Sequence, residues 1–264
     1  MDLSQALQQV EEYNKQGILC SLSYLPVIKT SSGQIMREVE EYGRILEKIS
    51  QKKLNCDITV KMHQLGIYGR EGLAEAAVER IVYLAKQYGV FVWVDMERPD
   101  TVDATVEIFR VLAQKHDNLG ICLQAYLKRS ERDMRLFLSR SVPIRLVKGF
   151  YRQHDFKSWQ EVSENYERLM GEILRKSVKP AIATHDLRLI EKAKEIVKSE
   201  GIKNAEFQFF SGVRDDLARQ LVKEGYRVRI YIPYGNLWRF LWRGLRTFDL
   251  FHQVERMLGL MPWS

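Results

Sequence analysis

Residues 56–127, CDITVKMHQLGIYGREGLAEAAVERIVYLAKQYGVFVWVDMERPDTVDATVEIFRVLAQKHDNLGICLQAYL, decide the fold class. Three runs in this stretch, 56–65, 90–95 and 119–127, are apolar or β-branched almost throughout, as strands covered on both faces are. Between the first two, Leu73, Ala76, Ala77, Arg80, Ile81, Leu84 and Ala85 recur at three-and-four spacing, which predicts an amphipathic helix. Strands of this kind separated by helices pair in parallel, because the crossover helices must cover the sheet. Outward from this stretch the alternation continues. Residues 17–28 (GILCSLSYLPVI) precede it, and 142–148 (VPIRLVK), 180–185 (PAIATH), 205–209 (AEFQF) and 226–232 (YRVRIYI) follow. Eight strand-plus-helix units in 264 residues are the count of a closed (βα)8 barrel of the TIM type, read as one domain over 1–264 with a C-terminal helix after the eighth strand. A doubly wound open sheet is the alternative, but the chain has neither a GxGxxG turn after its first strand nor a P-loop.

Composition narrows the class further. With 45% apolar and 28% charged residues the chain is a packed domain and not a disordered one. Its 41 Lys+Arg against 34 Asp+Glu give a formal charge of +7 that is spread along the chain, which argues for a solvated surface and against nucleic acid as a partner. The opening MDLSQALQQVEEYNKQG is a polar amphipathic helix without a signal core, and no run of about 18 apolar residues follows, so a cytoplasmic location is expected. Cys20, Cys56 and Cys122 lie singly in apolar runs, which indicates neither a disulfide framework nor a zinc or other metal site.

A (βα)8 barrel builds its site at the C-terminal strand ends. The polar residues expected there are Lys61 with Gln64, Asp95 with Glu97, Gln124 with Tyr126, Arg145 with Lys148, Thr184 with His185, Glu206 with Gln208, and Tyr231. Any one of them alone is more simply a satisfied hydrogen-bonding group. Lys61, Asp95, Arg145 and Lys148 around one axis are different: unpaired, each ion would cost several kcal/mol to bury, so they must meet each other or a charged, anionic ligand.

The segments that carry these residues, VDMERPDTVDATVEIFRVL, LGICLQAYLKRS, VPIRLVKGFY, PAIATHD, AEFQFFSGVR and YRVRIYIPYGNLW, resemble in order the signature blocks of the flavin-dependent proline dehydrogenases. The resemblance runs from about Gly17 to Trp238. It implies a barrel that holds FAD, oxidises L-proline or a close cyclic imino acid by hydride transfer to flavin N5, yields 1-pyrroline-5-carboxylate and passes electrons to a quinone or another acceptor. Carried over by motif, Asp95 and Arg145 resemble the catalytic pair, and Lys61 resembles the substrate-side lysine that pairs with Asp95. Tyr231 resembles the tyrosine that closes the substrate pocket. The flavin contacts would be Met96, Gln124, Lys148, Gly149, Phe150, Thr184 and His185. The residue types suit that chemistry, because a guanidinium near N5 stabilises charge that develops on a reduced ring. Gly149 fits either a backbone that approaches a ligand closely or a plain strand-to-helix turn.

Three departures from the family pattern stand out. Where the family carries two adjacent arginines and then a glutamate, this chain reads WRFLWRGLRT; Arg243 matches the first arginine and Gly244 stands at the second. Arg239, Arg243 and Arg246 share one helix face, which either restores the carboxylate clamp or forms a solvated basic surface. Leu25-Pro26-Val27 replaces a Leu-Gly-Glu turn. The segment from Trp238 to Trp263 is rich in aromatics, as an eighth helix packed on the barrel would be, or a helix making peripheral contact with a membrane. Two other readings remain: a flavin barrel of the folate-reductase type, and a non-catalytic barrel that acts as a binding module.

Overall fold

The computed structural model describes residues 1–26, 31–149 and 155–236. Phe150, Arg239, Arg243, Gly244, Arg246 and the expected C-terminal helix with its aromatic residues lie outside the described residues, as does Val27. Eight strands form: β1 (Leu19–Leu25), β2 (Cys56–Lys61), β3 (Val92–Asp95), β4 (Leu119–Gln124), β5 (Ile144–Val147), β6 (Pro180–Ala183), β7 (Glu206–Phe210) and β8 (Arg227–Gly235). Each pairs in parallel with the next, and β8 pairs back onto β1 from Leu19↔Arg229 to Leu25↔Gly235, so the sheet is a closed barrel. The alternation read from the sequence is therefore the (βα)8 architecture, and the open sheet is excluded.

Helices α2 (Ser32–Gln51), α3 (Glu71–Gln87), α4 (Val102–Lys115), α5 (Ser130–Leu138), α6 (Trp159–Lys176), α7 (Leu187–Ser199) and α8 (Asp215–Lys223) follow β1 to β7 in turn, and α1 (Leu3–Lys15) precedes β1. In α2 the stripe Ile35, Val39, Tyr42, Ile45, Leu46 and Ile49 faces the sheet and is buried. Side-chain caps fix several starts: Asp2 and Gln5 form a capping box on α1, Ser31 caps α2, Ser158 caps α6, and Asp186 caps α7. Helix α1 occupies the outer-ring position between α8 and α2. Its Tyr13 hydroxyl donates to Asp215 Oδ2 at 2.8 Å on the α8 side, and Lys52 Nζ beyond α2 reaches Glu11 at 2.6 Å. Ala6, Leu7, Val10 and Tyr13 form its buried face.

Strand bounds differ from the sequence reading where backbone hydrogen bonds change partner. β2 stops at Lys61 because Gln64 N donates to Lys61 O at 3.1 Å and turns the chain. β8 runs on to Gly235 because its register with β1 extends that far. Side chains alternate between the helix layer and the lumen. Leu22, Ile58, Val60, Val94, Ile121, Leu146 and Ile230 face outward and are buried beneath helices. The lumen is polar, since contacts that join non-neighbouring strands, such as β3 to β5, can only be made through it. Trp93 fills the lower lumen against β4, where Gly120 leaves room: a Cβ there would lie 2.7 Å from the indole. Among the described residues no helix is long and apolar enough to cross a membrane.

Candidate active site

Asp95 closes β3 at the C-terminal mouth, and three strands converge on it. Its Oδ1 accepts from Arg145 Nη2 at 2.6 Å, and its Oδ2 accepts from Lys61 Nζ and from the Tyr231 hydroxyl, the latter at 3.2 Å. Lys61 stands opposite Asp95 in the β2–β3 register, whereas Arg145 comes from β5 and Tyr231 from β8. The Arg145 guanidinium lies 5.0 Å from the Trp93 ring centre and 5.8 Å from that of Tyr231, so its faces rest on aromatic rings while its edges are hydrogen-bonded.

Burial opposes every charge here, and the partners decide the outcome. Burial would raise Asp95, but Lys61 and Arg145 outweigh it and hold the carboxyl below the usual carboxylate range. Burial would likewise depress Lys61 and Arg145, and Asp95 keeps both well charged. Burial and then Asp95 push the Tyr231 phenol up to about 12, so it is a neutral donor at physiological pH. The group thus holds two cations against one carboxylate, and the surplus positive charge suits an anionic ligand.

One layer nearer the mouth, Glu97 accepts from His63 N at 2.9 Å and meets His63 Nδ1 at 2.5 Å. Glu97 was legible as a strand-end acid; its histidine partner follows β2 in a turn and carries no strand signal. Gln124 donates from Nε2 to the carbonyls of Met96 and Glu97, both at 3.1 Å, which brings the ends of β3 and β4 together. Its Oε1 is buried and accepts no hydrogen bond from the described residues. Met96 is buried beside it.

On the far side, Lys148 lies apart from the Asp95 group and meets a different carboxylate. Its Nζ donates to Asp186 Oδ2 at 2.8 Å and to Ser163 Oγ at 3.0 Å. Burial pulls Lys148 down and would push Asp186 up, but Lys148 and the backbone N–H groups of Leu189 and Arg188 hold the carboxyl low. The sequence reading missed Asp186, whose signal was present: an acid that both caps α7 and follows the Thr184-His185 strand end. Thr184 Oγ1 accepts from Asp186 N at 3.2 Å. His185 Nε2 accepts from Phe210 N at 3.0 Å, which puts the ring proton on Nδ1. Burial and Arg214 push this histidine down to about 4, so it stays neutral. Gly149 has φ of +123°, and a Cβ there would lie 2.4 Å from the Tyr126 ring. Both the positive φ and the Tyr126 ring call for glycine at this position.

Glu206 also needs correction. It opens β7 and so lies at the N-terminal end of the lumen, because the strand runs on to Phe210. There it accepts from Arg229 Nε at 2.6 Å and Nη2 at 3.0 Å. Arg229 Nη1 lies 3.2 Å from Asp57 Oδ2, which is also 3.4 Å from Lys179 Nζ. This second ionic layer lies at the opposite end of the lumen from the strand ends where a (βα)8 barrel builds its site, and no sequence motif marks it.

The proline dehydrogenase family model matches residues 6–246. Proline dehydrogenase 2 of Bacillus subtilis is 31% identical over 242 residues, covering 90% of this chain and 80% of that protein. Proline dehydrogenase of Deinococcus radiodurans is 34% identical over 247 residues, covering 89% and 79%. Among solved structures, proline utilization A from Bdellovibrio bacteriovorus, inactivated by N-propargylglycine, superposes with a TM-score of 0.82 at 21% identity. That alignment covers 89% of this chain and 30% of the larger one, so the chain corresponds to less than a third of that protein and shares its barrel fold. By sequence, length and fold together, the chain belongs to the proline dehydrogenase family of oxidoreductases.

Proposed function

We propose that the chain oxidises L-proline, or a close cyclic imino acid, to 1-pyrroline-5-carboxylate with FAD at the C-terminal mouth, and that the electrons pass to a quinone. The observation that carries this reading is the group of Lys61, Arg145 and Tyr231 around Asp95, which presents surplus positive charge and a neutral donor to a small zwitterion. Membership of the proline dehydrogenase family supports the substrate class.

The residues around the mouth fit a flavin. Gln124 Oε1 is a buried acceptor in need of a donor, such as a ring N–H. His185 keeps a fixed Nδ1–H donor because its other nitrogen is occupied. With Met96, Lys148, Gly149 and Thr184 these residues would hold the cofactor, as the family pattern assigns them; Phe150 and Arg243 lie outside the described residues. The flavin supplies the oxidising power, since no amino-acid side chain accepts a hydride.

The protein's own work is electrostatic. Lys61 attracts the substrate carboxylate, and Arg145 balances negative charge that develops beside it. Asp95 is a weak base because its pKa is held low and both its oxygens are engaged, so its part is to keep two like charges close together in fixed directions. Tyr231 keeps its proton and donates a hydrogen bond to Asp95, which places the ring as a wall of the pocket.

The test is an anaerobic absorbance spectrum of the purified, FAD-supplemented protein before and after L-proline is added. Loss of the oxidised-flavin band near about 450 nm is expected, followed by its return when a soluble quinone is admitted. An oxidised band that proline leaves unchanged refutes proline as substrate, and protein that takes up no FAD refutes the cofactor.

A further inference from the structure

Arg145 springs from β5, midway between β3 and β7, and its two terminal nitrogens point to opposite sides of the lumen. Nη2 donates to Asp95 on β3 at 2.6 Å, and Nη1 donates to Gln208 Oε1 on β7 at 3.5 Å. The second contact is long, so it acts mainly as an oriented amide dipole. What orients the dipole lies one layer below. Gln208 Nε2 donates to Glu206 Oε1 at 2.6 Å, and Glu206 is locked by two contacts from Arg229. Glu206, Gln208, Arg145 and Arg229 are all at least 96% buried, so water cannot substitute for a missing partner. A flipped Gln208 amide would set its oxygen against the Glu206 carboxylate and its NH2 against the guanidinium, turning both contacts repulsive. Only one orientation is available.

We propose that Gln208 is a positioning residue for Arg145, and that the Glu206–Arg229 pair at the opposite end of the lumen acts on the site through the direction it imposes on the Gln208 amide. The proposal deepens the proposed function and rests on it for the role of Arg145. Without Gln208 the guanidinium keeps its hydrogen bond to Asp95 and its aromatic neighbours Trp93 and Tyr231 but loses the contact that fixes Nη1, and it swings about the Asp95 contact. Substrate capture by Lys61 is untouched, whereas charge stabilisation at the reacting atoms is weakened.

Three proteins test this. Gln208→Met keeps the volume and removes both contacts; it is expected to lower kcat about tenfold and leave KM for proline within about twofold. Glu206→Gln lets the amide flip and is expected to lower kcat about threefold. In the double variant the effect should equal that of Gln208→Met alone, because the proposed influence of Glu206 on Arg145 runs through the Gln208 amide. Multiplying effects, or a kcat unchanged in Gln208→Met, overturn the proposal. A second readout needs neither flavin nor turnover: the Nη resonances of Arg145 in the apo protein, distinct when rotation is hindered. They should be resolved in the parent and coalesce in Gln208→Met, and resolved signals in both overturn the proposal even if Glu206→Gln fails to fold. If proline does not reduce the parent protein's flavin, the functional reading fails while the resonances still decide the positioning claim.

Discussion

Replacing Asp95 by asparagine tests the charge balance of the site most directly. Asparagine keeps the shape but removes the only carboxylate that Lys61 and Arg145 share, and its amide NH2 must face one of the two cations. The local charge rises from one surplus cation to two, in a place where the Arg145 side chain is 3% exposed and that of Lys61 is 16% exposed. Removing one partner of a buried ion pair costs about 3–5 kcal/mol, and the variant is expected to be less stable by that amount at pH 7. The pH dependence carries a sign. Asp95 titrates in the folded protein below its ordinary value of 3.8, so its contribution is present above that value and disappears as pH falls through the folded one. Urea unfolding of apo parent and variant, followed by circular dichroism, should give a constant difference from neutral pH down to about 5 that starts to shrink near about 4 and closes only as pH falls through the lower folded value, where the parent's carboxyl also becomes neutral. A difference under about 1 kcal/mol at pH 7, the scale of an exposed pair, or a larger one that persists in acid, would refute the reasoning.

Three further outcomes follow. Tyr231→Phe removes one donor to an ionised carboxylate, worth about 1.5–3 kcal/mol, and should lower kcat/KM for proline about 10- to 100-fold by steady-state kinetics with the flavin content matched. Gly149→Ala meets both the positive φ and the Tyr126 ring; thermal unfolding should show a loss of at least about 1–3 kcal/mol, the cost of the backbone conformation alone. Glu38 on α2 is buried with one oxygen unpartnered, and burial pushes it up to about 7 from 4.5. A raised carboxyl stabilises fully below its unfolded value and loses that contribution as pH rises, so Glu38→Gln should remove a decline of about 2–3 kcal/mol between pH 4.5 and 7 from the parent's stability curve.

The barrel was legible because a strand buried on both faces and an amphipathic helix leave different periods in the sequence, and all eight strands, with the helices that follow β1 to β7, became elements. Lys61, Asp95, Arg145 and Tyr231 were legible because an ionisable or phenolic side chain in an apolar strand must find a partner. Which partner it finds depends on angular position around the barrel, and strand order alone does not give that. Lys148 and Arg145 are three residues apart, hence on different faces of one strand and its exit, and they serve different carboxylates, Asp186 and Asp95. Glu206 was put at the wrong end because AEFQF can begin or end a strand, and only the pairing of Phe210 with Tyr231 fixes its extent. Asp57, Lys179 and Arg229 went unnoticed since a polar lumen below the site has no motif of its own.

The seam between β1 and β8 bears on how the molecule is made. Arg229 and Tyr231 arrive on the last strand to be synthesised, more than 200 residues after the β1 carbonyl of Cys20, which Arg229 grips at 2.5 Å. Until that seam closes, Asp57, Glu206, Lys61 and Asp95 lack members of their networks. Closure therefore couples the longest chain separation in the barrel to the drying of both ionic layers. Pairing across so long a separation is entropically costly, and it ties the assembly of the site to closure of the barrel.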